Sequence, residues 1–228
     1  MQTILETEGF AIFDDVFPES ILASMWEYLQ DEPCRFVQSG RWKKIFRLGD
    51  GNSLETGAII SKPMETDKIS RVYPTGLAPD ALYELISTQR ASWIPWLGQP
   101  SDSDLTSIRG TIYPRGTGLS WHDDHTGVKG AFILYVHPHW NAEWGGELLI
   151  EDSPNKNNRS DYSRVHLNND NQNQELLMKG HGRFIFPKPN RLVLIASGTK
   201  HSIKKVDPEA GSHVRAALSG FIHEAGTR

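Results

Sequence analysis

The 228 residues, 38% hydrophobic and 23% charged, suit a soluble globular chain with a sizeable core and exclude a disordered or fibrous one. A formal net charge of −4 gives no electrostatic reason to expect nucleic acid, and no apolar run approaches a membrane span. Cys34 is the single cysteine, so no intrachain disulfide is expected and a reducing, cytoplasmic compartment is the simplest fit.

The opening MQTILETEGF lacks the basic and apolar regions of a signal peptide. From Glu19 to Gln30, apolar Ile21, Leu22, Met25, Trp26 and Leu29 recur at amphipathic spacing and predict a helix. Residues 31–78 read as hairpins and loops, with a small basic patch, GRWKKIFR (40–47), read as a solvated face that could attract an acidic substrate. Asp80 is placed to cap a second helix that buries Leu82, Leu85 and Ile86. Beyond about residue 105 the chain turns to short β runs: SIRGTIY, AFILYV, GELLI, RFIFP, RLVLIA and VRAALSGFIH, each bounded by turn formers. The fold class is therefore mainly β with flanking helices, a sandwich or barrel whose helices pack on one face. One domain is expected, with 1–104 as helical and hairpin support and 105–225 as the core. An Asn-rich insertion, 155–182, is either a substrate lid or inert, and the Asn158 sequon within it is read as idle.

All nine histidines fall between 122 and 223, within the β half. In GLSWHDDHTG, residues two apart share a strand face, which selects His122 and Asp124 and turns Asp123 away. His125 has the wrong parity unless the chain bends there. His201, just after the apolar strand of LIASGTKHSIKKV, is the third candidate. Two imidazoles and a carboxylate leave positions open on Fe(II), as an oxygenase requires; the same ligands on zinc suit a hydrolase. In HVRAALSGFIH, Val214, Ala216, Leu218, Gly220 and Ile222 form an apolar face expected to meet the helices. Arg215, Ser219 and His223 then line the interior with His213. A buried Arg215 needs an anion, which a dicarboxylate cosubstrate supplies, and Ser219 is placed to add a hydrogen bond.

YPRGTGLSWHDD, HWNAEWGGELLI, RLVLIASGTKHSI and HVRAALSGF together resemble the iron(II)/2-oxoglutarate-dependent dioxygenases of the prolyl 4-hydroxylase-like group, over roughly 105–225. FAIFDDVFPESILASMWEYL also resembles that group's helical entry. The resemblance implies a double-stranded β-helix (jelly-roll, cupin-like) core, with Fe(II) at His122, Asp124 and His201 and the 2-oxoglutarate C5 carboxylate at Arg215. It implies O2 as oxidant, ascorbate as a possible reductant, and hydroxylation of an unactivated C–H bond with release of succinate and CO2. Family halogenases have Gly or Ala at the carboxylate position, so Asp124 disfavours halogenation. Ala217 stands where many relatives carry Ser or Thr, with Ser219 or Thr111 as compensation. Leu134, beside Tyr135, stands where hypoxia-sensing relatives have a cosubstrate tyrosine, which leaves Tyr113 as the candidate hydroxyl.

The substrate expected is a small molecule, an amino acid or natural-product intermediate. The alternatives are a peptidyl or protein prolyl hydroxylase, a desaturase or cyclase using the same oxidant, and an inert jelly-roll binding protein. His137, His139, His166 and His181 read as loop residues, WGGEL as mainly structural, and Trp42, Phe46 and Arg47 as a candidate substrate wall. Neither nucleic acid nor membrane is expected as a partner, and the oligomeric state is open.

Overall fold

The structure is a computed structural model and describes residues 1–37, 48–63, 70–124, 127–152, 174, 176–178 and 181–224. Trp42, Phe46, Arg47, His125, His166 and nearly all of 155–182 lie outside the described residues. In chain order the elements are β1 (Gln2–Glu6), β2 (Phe10–Asp14), α1 (Glu19–Asp31), β3 (Arg35–Phe36), β4 (Leu54–Glu55), β5 (Ile59–Ile60) and β6 (Arg71–Val72). Then follow α2 (Asp80–Gln89), α3 (Ile94–Leu97), β7 (Leu105–Tyr113), β8 (Leu119–His122), β9 (Val128–Tyr135) and β10 (Leu148–Glu151). The chain continues through β11 (Gly182–Ile185), β12 (Leu192–Ala196), β13 (His201–Ile203) and β14 (Arg215–His223).

Among the described residues these strands form two sheets. The larger is ordered β1-β2-β12-β9-β14-β7-β4-β3, with β5 and β6 attached beside β7, and the smaller β11-β10-β13-β8. The larger sheet is buried on both faces. Its even-numbered β14 residues Ala216, Leu218 and Ile222 share a core with Met25 and Leu29 of α1, Leu82 and Ile86 of α2, and Trp96 and Leu97 of α3. On its other face Ile133, Tyr135, Val193, Ile195 and Ala217 meet Leu148, Ile150, Ile185 and Ile203 of the smaller sheet. Each fully buried aliphatic side chain contributes roughly 1.5–3 kcal/mol. The result is a double-stranded β-helix with helices on one side, and the alternation expected for β14 is the one observed.

The N-terminus departs from a purely helical entry. Phe10–Asp14 is a strand, because Ala11 and Phe13 enter the helix-side core while Phe10 and Ile12 enter the inter-sheet core. A continuous apolar run suits a strand covered on both sides. Asp80 also differs from expectation: its carboxylate accepts from the Thr75 and Gly76 amides and the Thr75 hydroxyl, so it closes the preceding turn instead of capping α2. Among the described residues no helix is long and apolar enough to cross a membrane.

Asp14 ends β2 in a buried position. Arg191 grips it bidentately, Nε to Oδ1 at 2.7 Å and Nη2 to Oδ2 at 3.0 Å, and Lys188 Nζ reaches Oδ2 at 2.9 Å. Burial alone would raise the carboxyl pKa, but these two cations hold it below the usual range. A depressed folded-state pKa contributes stability above the unfolded value and loses it as pH falls through the folded value. Asp14→Asn should therefore cost about 2 kcal/mol at neutral pH, with the deficit shrinking toward acid pH, in urea titrations run across pH 2.5–7. A deficit independent of pH would show that the charge of Asp14 does not matter.

Candidate metal and cosubstrate site

Strand register brings the candidate ligands together. β8 and β13 run antiparallel, and His122 stands opposite His201 in the ladder. Opposed residues project to the same face of a sheet. The two imidazole centroids are accordingly 4.2 Å apart, and both rings line the cavity between the sheets. Asp124 lies two residues past His122, beyond the end of β8, and alternation returns its carboxylate to that side. Asp124 Oδ1 is 3.9 Å from His122 Nε2, and Oδ2 is 3.4 Å from His201 Nε2.

Both histidines are anchored in the same way. His122 Nδ1 donates to the Ser120 carbonyl at 2.8 Å, and His201 Nδ1 to the Thr199 carbonyl at 2.9 Å. A carbonyl only accepts, so Nδ1 carries a proton and Nε2 is the ring atom turned toward Asp124. The Ser120 hydroxyl donates in turn to Asp50 Oδ1 at 2.6 Å, fixing the segment that supplies the first carbonyl. Burial pushes the His122 pKa down to about 4, and the charge of His201 adds to that push. Burial also pushes His201 down, but the Asp124 carboxylate more than offsets it and the net direction is up.

The donor set fits a divalent metal. One ligand atom from each of His122, Asp124 and His201 lies within 4.8 Å of the other two, and no other such group occurs among the described residues. Metal bonds near 2.1 Å place neighbouring donors roughly 3–4 Å apart, so a slight inward movement would close the trio on an ion. Asp123 is not a member of the group.

Arg215 opens β14 directly opposite Tyr113 of β7, and it is 1% exposed. Its Nε donates to the Gly146 carbonyl at 2.9 Å and its Nη2 to the Tyr135 hydroxyl at 3.2 Å. The guanidinium carbon lies 4.8 Å from the Tyr135 ring centroid and 5.2 Å from that of Tyr113, within cation–π range. Among the described residues no carboxylate pairs with it. Tyr113 lines the cavity, and burial pushes its pKa up to about 12 although the charge of Arg215 pulls it back. Its hydroxyl is a donor at every ordinary pH.

Ser219 also lines the cavity, where its hydroxyl meets that of Thr111 at 3.2 Å. Four residues of strand, roughly 13 Å, separate Ser219 from Arg215. Arg215 and Tyr113 are thus brought together, whereas Ser219 sits further along the wall. The cavity has a volume of about 300 Å³ and runs from the triad past Tyr113 and Ser219 to Glu55, Arg109 and His223. His223 Nε2 is 3.0 Å from the Ser107 hydroxyl. His213 instead stacks on Trp144 at 4.4 Å, away from the cavity lining. His137 is a buried staple, with Nε2 2.7 Å from the Pro187 carbonyl and Nδ1 accepting from the Ala216 amide at 3.2 Å.

This combination of jelly roll, facing histidines, carboxylate and buried arginine defines a non-haem metal oxygenase type of centre. The sequence model of the 2OG-Fe(II) oxygenase superfamily matches residues 108–223, more than half of the chain, and the chain belongs to that family. As a family member it is a 2-oxoglutarate-dependent oxygenase, using Fe(II), 2-oxoglutarate and O2. No curated protein matches its sequence. Among solved structures it is similar to a Pseudomonas putida prolyl-4-hydroxylase, at 14% identity and TM-score 0.58 over 96% of this chain and 95% of that one. It is similar too to a Trichoplax adhaerens prolyl hydroxylase in complex with a hypoxia inducible factor peptide fragment, at 17% identity and TM-score 0.58, covering 96% and 84%. HygX from Streptomyces hygroscopicus, with nickel and 2-oxoglutarate bound, matches at 12% identity and TM-score 0.55, covering 96% and 83%. At these identities the likeness is one of fold.

Two site residues escaped the sequence reading. Tyr135 is identified only by parity: Leu134 faces the helices, so its neighbour must face inward against Arg215. Gly146 does more than permit a turn, since its carbonyl holds Arg215 and its φ is +72°. A Cβ at Gly146 would lie 3.0 Å from Arg215 Cδ and 3.2 Å from the Trp140 ring. Gly146→Ala should therefore cost about 2–3 kcal/mol in chemical denaturation, from left-handed strain plus overpacking. A cost below about 0.5 kcal/mol would mean the loop relaxes freely around Arg215.

Proposed function

We propose that the chain hydroxylates an unactivated C–H bond of a small molecule, with His122, Asp124 and His201 holding Fe(II) and Arg215 binding the distal carboxylate of 2-oxoglutarate. The observation that carries this reading is the cavity that reaches the triad and is lined by strands of both sheets. At about 300 Å³ it stands at the lower end of ligand sites, which favours a compact substrate. Bound Fe(II) supplies the oxygen chemistry that couples 2-oxoglutarate decarboxylation to substrate oxidation. The chain supplies orientation. His122 and His201 are each held at Nδ1 by a backbone carbonyl, which leaves Nε2 as the atom presented to a metal. Arg215 offers a charged fork already desolvated and oriented by Tyr135 and Gly146; it is not among the residues that line the cavity, so a carboxylate meets it only after some rearrangement. Tyr113 adds a hydroxyl that stays protonated. Apolar Leu119, Ile133 and Ile203 keep water from the space between.

The whole of 1–228 is read as one catalytic domain, since the N-terminal hairpin extends the core sheet and β4 contributes to the cavity wall. A peptidyl prolyl hydroxylase remains the second reading, favoured by the two prolyl hydroxylases of similar fold. Desaturation or cyclisation would use the same residues with a different substrate pose.

Anaerobic addition of 2-oxoglutarate to the Fe(II)-loaded protein should produce a visible charge-transfer band. His201→Ala and Asp124→Ala should abolish it and succinate release together, and retention of the band in either variant would refute the ligand assignment. Arg215→Ala should keep Fe(II) affinity within about twofold and raise the 2-oxoglutarate KM by 10²-fold or more. An unchanged KM would remove Arg215 from the cosubstrate site. Mass spectrometry of products across amino acids, metabolites and proline peptides then separates hydroxylation from desaturation, and small molecules from peptides.

A further inference from the structure

The inner face of β7 presents Ser107, Arg109, Thr111 and Tyr113 in succession to the cavity. A jelly-roll interior is usually apolar, so an arginine on that face needs a reason. Arg109 Nη1 bonds Glu55 Oε2 at 2.8 Å. The other oxygen of the same carboxylate takes both Nε and Nη2 of Arg35, at 3.1 and 2.9 Å. Arg35 stands opposite Glu55 in the β3–β4 ladder, so these contacts cross neighbouring strands. Among the described residues neither guanidinium has another acidic partner. Two cations thus share one carboxylate, and the group carries a net charge of about +1 at the cavity wall.

Arg35 is largely exposed, with 61% of its side chain accessible, whereas Arg109 is 34% accessible and Glu55 13%. Water can neutralise the excess at Arg35 but only partly at Arg109. Only Nη1 of the Arg109 fork makes a hydrogen bond among the described residues, so donors remain for a ligand. Burial pushes the His223 pKa down, and the charge of Arg109 adds to that push.

Arg109 and Arg215 stand on the same face of the β7–β14 pair, and of the two only Arg109 lines this cavity. Tyr113 pairs with Arg215, and Arg109 is four residues from Tyr113, or roughly 13 Å along the strand. Arg109 is thus a second cation, distinct in position from the one assigned to 2-oxoglutarate. With Arg215 assigned to 2-oxoglutarate, Arg109 is left for the substrate.

We infer that the substrate of this oxygenase is a small carboxylic acid whose carboxylate is bound by Arg109, braced by Glu55 and Arg35, while its carbon skeleton reaches toward the triad. This rests on the small-molecule reading above. The bracing fixes the Arg109 fork before the substrate arrives, which favours planar, bidentate recognition of a carboxylate.

The test uses the full chain loaded with Mn(II) and 2-oxoglutarate, with metal-dependent 2-oxoglutarate binding confirmed first. Saturation-transfer NMR then compares the common L-α-amino acids with their carboxamides, and dipeptides with free and amidated C-termini. At least one free amino acid should bind in the millimolar range or tighter, with its carboxamide at least tenfold weaker. Arg109→Gln should weaken the acid by about 10- to 100-fold and bring acid and amide within about twofold of each other. Arg109→Lys, which keeps the charge without the fork, should fall between; it and the wild-type acid-to-amide comparison still decide the matter if Arg109→Gln does not melt cooperatively. Equal binding of acids and amides, no acid binding at all, or a preference that survives Arg109→Gln each overturn the inference. Preference for dipeptide acids over free amino acids overturns the small-acid class in favour of a peptide. Failure of the oxygenase reading is separate, since it shows as absent 2-oxoglutarate binding before any acid is added.

Discussion

A guanidinium buried with no carboxylate partner among the described residues is the constraint around which this interior is organised. Arg215 is withdrawn from water, and an unpaired buried charge is among the costliest features a fold can carry. The fold offsets the cost with neutral groups: a carbonyl from Gly146, a hydroxyl from Tyr135 and the ring faces of Tyr135 and Tyr113. None of these cancels the charge. They hold it in place and leave a field that favours an anion in the adjoining cavity. Gly146, whose carbonyl holds Arg215 and whose Cβ position abuts Arg215 Cδ, and the inward turn of Tyr135 both serve to keep this one side chain oriented.

The two sheets divide the work. The small sheet carries the facing histidines, with both rings tied at Nδ1 to carbonyls of their own strand approaches. The large sheet carries the cations, on long adjacent strands whose register over Leu105–Tyr113 and Arg215–His223 is uninterrupted. Metal donors need convergence to within a few tenths of an ångström, which a short ladder with a directly opposed pair provides. Anion sites need separation along a rigid line, which a nine-residue antiparallel pair provides. Helices on the outer face of the large sheet stiffen it without intruding on the cavity.

Much of this was legible from alternation. The last strand reads apolar on one side and mixed on the other, and the structure sends those sides to the helices and to the barrel interior. The His-x-Asp spacing likewise selects the pair that converges with His201 and rejects Asp123. Alternation fails where both faces are covered. FAIF and AFILYV are apolar runs, so neither the strand character of Phe10–Asp14 nor the inward orientation of Tyr135 stands out. It also fails for strands of two residues. Arg35 and Glu55 form a pair only because β3 and β4 dock on β7, and nothing local predicts that docking.

The same limit explains why the substrate end was harder to read than the metal end. Metal chemistry restricts ligand types to a few residues at fixed spacing, so candidate donors stand out in sequence. Substrate recognition is built from whichever side chains the fold leaves facing the remaining space. Arg109 lies in SIRGTIY, a run whose polar positions resemble those of any half-exposed strand. Its significance emerges only when Glu55 proves to be shared with Arg35, because charge balance is a property of three strands together. Specificity in this fold is therefore a tertiary quantity, while the reaction type is close to a local one.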